Sequence, residues 1–179
     1  MPEEFVGGVG AEGVARLRQF VEAGGWVMAW DGSADFAISS LGLPLRNTVR
    51  GVRSADFFIP GTLLRIETTP GNPLAHGMEP AAVAMFNSSV ALELVPPGTA
   101  AAQPGVGTAD VFVRYAAEDF LVSGWELGGE EYLAGKVAGV RVPVGRGQAV
   151  VYGFRPGWRG QPHNTFKLLF NALYAATMR

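Results

Sequence analysis

Cysteine is absent from this chain of 179 residues, and histidine occurs only twice, at His76 and His163. Without cysteine there is no disulfide framework, no thiolate ligand for zinc or an iron–sulfur cluster, and no thiol nucleophile. Two histidines are too few for a histidine-rich metal site. Charge is scarce as well: charged residues make up 17% of the chain, with 14 Lys+Arg against 16 Asp+Glu and a net charge of −2. That balance offers no cationic surface to a phosphate backbone or an anionic membrane, so neither nucleic acid nor membrane is an expected partner. No run approaches the ~20 apolar residues that cross a bilayer. The opening Met1-Pro-Glu-Glu has neither the basic start nor the apolar stretch of a signal peptide, and the compartment stays open.

What the chain does have is apolar residues, glycine and proline. Hydrophobic residues reach 48%, which supports a packed core rather than disorder. The length suits one domain. The 25 glycines and 12 prolines are about a fifth of the chain against ~12% in average usage. Short elements joined by many turns follow from that.

The first element is a helix over 11–23, with Val14, Leu17 and Val21 on one face and Phe20 beside them. Gly24-Gly25 ends it, and Trp26-Val-Met-Ala-Trp30 follows as a continuously apolar strand. Burial on both faces is what a parallel sheet between helices requires, which makes Trp26 and Met28 core residues. Asp31-Gly-Ser turns the chain, and Ser33 is placed to cap a helix through Leu41. The middle, about 43–115, is β-rich: runs at 57–59, 62–68, 83–86, 91–95 and 111–115 are separated by Pro-Gly turns. The small-residue stretch 96–108 reads as a hairpin tip. Runs at 137–142 and 148–154 flank Pro143-Val-Gly-Arg-Gly147, a second hairpin, and a closing helix spans 162–177. Its apolar stripe is predicted as Phe166, Leu169, Phe170 and Leu173, buried on the sheet.

Gly8-Val-Gly-Ala-Glu-Gly13 matches G-x-G-x-x-G ahead of a helix, and the following strand ends in Asp31. In a dinucleotide site such glycines admit a pyrophosphate to the helix N-terminus while the acid takes a ribose hydroxyl. That context needs a hydrophobic strand running into the first glycine, and Pro2-Glu-Glu-Phe-Val6 is a poor one. A glycine-rich surface loop is the plainer reading; a nucleotide-binding domain using Gly8, Gly10, Gly13 and Asp31 is the first alternative. His76-Gly-Met-Glu79 has the H-x-x-E spacing of a zinc site, but Pro73 and Pro80 bracket it as a surface turn, and no metal ligand is assigned. Gly135-Lys136 lacks the spacing and the Ser/Thr of a phosphate loop, and Ser123 lacks the flanking glycines of a nucleophile elbow. Arg155 and Arg159 lie between a strand and a helix, where open α/β sheets place ligands. Solvated loop charges are the plainer reading there; a small-ligand module using Arg155 and Arg159 is the second alternative.

Two longer stretches resemble a known family. Gly7-Gly-Val-Gly-Ala-Glu-Gly-Val-Ala-Arg-Leu-Arg-Gln-Phe-Val-Glu-Ala-Gly-Gly-Trp26 is similar to the helix-then-strand unit of class I glutamine-amidotransferase-like domains. Val151-Tyr-Gly-Phe-Arg-Pro-Gly-Trp-Arg-Gly-Gln161, then Thr165-Phe-Lys-Leu-Leu-Phe-Asn-Ala-Leu173, is similar to that fold's closing strand and helix. With Pro60-Gly-Thr-Leu-Leu-Arg65 and Asn72-Pro-Leu-Ala-His-Gly-Met78, the chain resembles the C-terminal amidotransferase-like domain of bacterial M14-type zinc carboxypeptidases. The resemblance implies a flavodoxin-like α/β domain, with a mostly parallel sheet flanked by helices and a β-rich insertion. Amidotransferases use a cysteine at a strand–helix elbow and a His-Pro-Glu after a late strand. Here cysteine is absent, and the corresponding stretch is Phe154-Arg-Pro-Gly157. The implied function is therefore that of a non-catalytic accessory domain of a zinc carboxypeptidase, with no cofactor of its own. Its partner would be an upstream peptidase domain of the same polypeptide, which would hold the zinc and precede a segment cut from a longer chain.

Overall fold

The computed structural model of the chain describes residue 2, residues 7–96 and residues 103–178. Helix α1 (Gly10–Glu22) leads through a turn at 23–25 into β1 (Trp26–Trp30), and α2 (Ser33–Leu41) follows. The middle of the chain supplies β2 (Leu45–Asn47), β3 (Thr62–Thr68), β4 (Ala81–Phe86), β5 (Leu92–Leu94), β6 (Asp110–Tyr115) and β7 (Leu121–Ser123). A one-turn α3 (Gly129–Tyr132) precedes β8 (Val137–Val144) and β9 (Gly147–Tyr152), and α4 (Phe166–Thr177) closes the chain.

All nine strands among the described residues join one open sheet, whose main path runs β1-β9-β8-β6-β3-β4. The expected mostly parallel sheet is corrected. Among the described residues only β1 and β9 pair in parallel; β8–β9, β6–β8, β3–β6 and β3–β4 are antiparallel. Continuous apolar runs report burial on both faces and carry no information on strand direction. The hairpin between β8 and β9 does, because a two-residue connection can only reverse the chain. Where β9 ends, β5 takes over the same edge of β8 through Leu92 and Val137, and β2 pairs outside it. The β-rich middle thus extends the sheet that β1, β8 and β9 belong to.

Each face of this sheet carries its own apolar cluster. Side chains alternate along β9: Val150 and Tyr152 enter one cluster with Phe112, Tyr115, Leu168 and Ala172, and Ala149 and Val151 enter the other with Val21, Ala37 and Leu41. Helix α4 therefore covers one face, and α1 and α2 the other, in three layers. The Tyr152 phenol donates to the Leu168 carbonyl at 2.9 Å, fastening α4 to the sheet. Burial holds that phenol well above its ordinary pKa, so it stays a donor. Gly147 marks another close approach: a Cβ there would lie 2.1 Å from the carbonyl oxygens of both Val21 and Gly25.

Three further expectations change. The buried side of α4 is Leu168 and Ala172, with Thr165 just ahead of the helix; Phe170 and Leu173 are 61% and 46% exposed, and Phe166 and Leu169 half-buried. The helix is apolar nearly all round, so periodicity offered two stripes and the wrong one was the more aromatic. Trp26 and Met28 are half-buried because β1 lies at the end of the sheet's path, with β9 its one strand partner among the described residues. The residue at the N-cap of α2 is Gly32, and Ser33 instead donates to the Trp30 carbonyl at 2.7 Å and accepts from its N–H at 2.9 Å. The predicted tip at 96–108 falls partly outside the described residues; Val106 bridges to Val144.

The packing of α4 is testable by truncation. Leu168→Ala should cost about 2–5 kcal/mol of stability, whereas Phe170→Ala should stay within about 0.5 kcal/mol. Denaturant midpoints at unchanged slope decide it.

Candidate functional site

The parallel pairing of β1 with β9 fixes where chemistry can gather. Strands β1 and β9 run side by side and finish at the same edge, so the residues after Trp30 and after Tyr152 are neighbours. Asp31 follows β1 directly and precedes α2. Its backbone is left-handed, with φ 51°, a conformation that Asp tolerates better than most L-residues. Its carbonyl accepts from the Ala34 N–H at 2.9 Å, which begins the helix. A strand, a strained residue and a helix in that order form the sharp elbow on which many α/β enzymes expose a nucleophile.

At this elbow stands a carboxylate, and it is only 8% exposed. Arg155, just beyond β9, reaches Asp31 Oδ2 at 3.0 Å. The Ser89 hydroxyl donates to Oδ1 at 2.7 Å and accepts from the Asn87 N–H at 3.2 Å. Arg155 also stacks over the Trp158 ring, with its guanidinium carbon 4.7 Å from the centroid. Both carboxylate oxygens are engaged, and charge, hydrogen bond and ring hold the group in place. The loop supplying Ser89 is itself pinned: the Val90 N–H donates to the Gly153 carbonyl at 2.7 Å. The Tyr115 phenol donates to the Val90 carbonyl at 2.8 Å. Burial, with the Asp31 charge behind it, raises the Tyr115 pKa well above its ordinary value and keeps the proton on the donor. A Cβ at Gly153 would lie 2.4 Å from the Val90 oxygen, so glycine is required where this loop meets β9.

Strained backbone concentrates here. Asp31, Ser88 at φ 53° and Arg159 at φ 39° are left-handed non-glycine residues in the three loops at this edge. Arg155 and Asp31, predicted separately for different ligands, meet in one ion pair. Arg159 is exposed. Gly10 begins α1 at φ 67°, Gly8 is exposed coil, and a Cβ at Gly13 would meet Val9 Cγ1 at 2.5 Å. Residues 3–6, on which the strand entering Gly8 would lie, fall outside the described residues. His76 ends a short 3-10 turn and is exposed. Among the described residues no group of three or more His, Asp or Glu is arranged to hold a metal ion. Sequence reading missed Ser89 and Trp158: the turn at 87–89 reads only as a loop, and nothing local says that it reaches β1.

An apolar cleft of about 610 Å³ lies elsewhere, between α4 and the loop after β3. Pro70, Pro73, Met78, Tyr174 and Met178 line it, and the Asn171 amide closes its floor by donating to the carbonyls of Leu74 and His76 at 3.2 and 2.9 Å. Tyr174 and Met178 are each 67% exposed and continue into the outer face of α4.

No family model matches the chain, and no curated protein matches it. Among solved structures it is similar to a β-galactosidase from Bacillus circulans sp. alkalophilus, with TM-score 0.53 and 14% identity over 92% of this chain and 21% of that one. A ThuA-like protein from Bacteroides uniformis ATCC 8492 aligns with TM-score 0.48 and 12% identity over 94% of this chain and 65% of its own. The β-galactosidase likeness is one of fold, and the chain spans about a fifth of that protein's length.

Removing Arg155 leaves a largely buried carboxylate with one hydroxyl partner. Arg155→Ala should therefore cost about 1–3 kcal/mol, while Arg159→Ala should stay within about 0.5 kcal/mol. Urea melts of the two variants beside the parent protein check this.

Proposed function

We propose that this chain is a non-catalytic accessory domain of amidotransferase-like, flavodoxin-related ancestry, serving a zinc carboxypeptidase whose peptidase domain lies upstream in the same polypeptide. The observation that carries the reading is the Asp31–Arg155 pair. In an amidotransferase the elbow bears a cysteine, and the stretch after the late strand supplies the histidine that activates it. The elbow here bears Asp31, and Phe154-Arg-Pro-Gly157 puts Arg155 where that histidine would stand, 3.0 Å from the elbow carboxylate. A carboxylate bound at both oxygens is a poor nucleophile, and an arginine that is always protonated is no general base. On this reading a fixed ion pair stands where acyl transfer would need a nucleophile and a base.

The accessory role is supported by surface chemistry. Phe170, Leu173 and Tyr174 stand exposed on α4 and Met178 just beyond its end, and grouped exposed apolar side chains of this size mark a protein contact. The fold's occurrence within about a fifth of a long β-galactosidase chain fits a module carried by larger enzymes. The carboxypeptidase itself rests on the sequence resemblance.

Glutaminase, esterase and carboxypeptidase assays on the isolated chain should give background rates, and dialysis against zinc should leave no stoichiometric metal. Turnover abolished by Asp31→Asn, or one tight zinc per chain lost in His76→Ala, would contradict the proposal.

A further inference from the structure

The cleft between α4 and the loop after β3 is apolar, and its polar groups share one property: their donors are already spent. On the loop wall the N–H groups of Thr68, Thr69, Asn72, Ala75, His76 and Met78 donate to carbonyls of the protein. Pro70, Pro73 and Pro80 have no N–H to offer. The remaining glycines of this wall, Gly71 and Gly77, sit on exposed turns.

Side-chain donors are spent too. The Thr68 hydroxyl donates to the Glu79 carbonyl at 3.0 Å, and the Thr69 hydroxyl to the Val111 carbonyl at 2.9 Å. The Asn72 amide donates to Asp110 at 3.0 Å, while its oxygen accepts from the Leu74 N–H at 3.0 Å. Asn171 uses both amide hydrogens, one on the Leu74 carbonyl and one on that of His76. What the floor keeps is acceptor capacity, above all the Asn171 Oδ1. The His76 imidazole and the Tyr174 hydroxyl, both on exposed residues, can act either way. Among the described residues no Asp, Glu, Lys or Arg lines the cleft.

The apolar lining suits a flat ring. The Tyr174 side chain is 67% exposed, and the thioethers of Met78 and Met178 make favourable contacts with aromatic rings. A volume of about 610 Å³ lies within the range of small-molecule sites, roughly 300–1,000 Å³. We propose that this cleft binds a small, uncharged aromatic compound bearing a hydroxyl group, a phenol in its simplest form. The ring packs against Tyr174 and the two methionines, and the hydroxyl donates to the Asn171 Oδ1. A carboxylate or phosphate would set its own oxygens against acceptors, with no donor in exchange, so the floor selects against anions. The site is independent of the accessory-domain reading: Phe170 and Leu173 lie outside the cleft and stay available for a protein contact.

Titration of the 179-residue chain with three matched probes, followed by amide chemical shifts, tests this. 4-Ethylphenol should saturate at one to one, moving the Asn171 side-chain amide and the amides of Gly71 and Gly77. 4-Ethylanisole, the same ring without the donor, should bind about 10-fold more weakly, the scale of one hydrogen bond. 4-Ethylbenzoate should not saturate. Tyr174→Ala should weaken 4-ethylphenol about 10-fold, the scale of a lost ring contact, with its urea melt unchanged. Phe170→Ala should bind like the parent. Absence of saturable binding by 4-ethylphenol would overturn the proposal, as would equal affinity for the anisole or tighter binding of the benzoate. Binding that Tyr174→Ala leaves intact would place the ligand elsewhere and overturn it equally.

Discussion

Everything in this molecule hangs on a hairpin buried on both faces. Strands β8 and β9 are joined by a tight turn and lie at the middle of the three layers, so each must satisfy an apolar cluster above and below. Val150 and Tyr152 on one side, and Ala149 and Val151 on the other, leave β9 almost no freedom of register. A one-residue slip would exchange the two faces and drive the Tyr152 ring under α1 and α2. Gly147 sets how closely α1 approaches the start of β9, and Gly153 sets how closely the loop at 87–90 approaches its end. The helices, the edge strand and the polar site all take their positions from this unit.

The parallel pairing of β1 with β9 has a consequence out of proportion to its five residues. An antiparallel neighbour would have sent the residue after β1 to the opposite edge from the residue after β9. Parallel pairing brings both ends together, which is why Asp31 and Arg155 meet at all. Open α/β sheets assemble their sites at carboxyl edges by this rule, and here the edge holds an ion pair within a framework of strained turns.

Local signals in the sequence located most elements. The strands at Trp26–Trp30 and Thr62–Thr68 coincide with their predicted bounds and the helix after Asp31 ends at Leu41 as predicted, because turns and apolar runs are local. The short β2, β7 and α3 were not legible, being three- or four-residue pieces that tertiary pairing creates. Sheet direction is not legible locally, since an antiparallel strand covered by helices on both sides looks like a parallel one. The buried stripe of α4 is hidden for a related reason: Phe170 and Leu173 have the same periodicity as a core face. Of the site, Arg155 and Asp31 could each be singled out by chain position, but their pairing depends on β1 lying beside β9, some 120 positions apart in sequence, and no local pattern encodes that.

Calorimetric titration of the chain with the peptidase domain assigned to it measures the central claim most directly. The account predicts saturable one-to-one binding with a clearly negative heat-capacity change, the mark of apolar burial on association. Titration without saturable heat at any temperature, with both proteins folded, would contradict it.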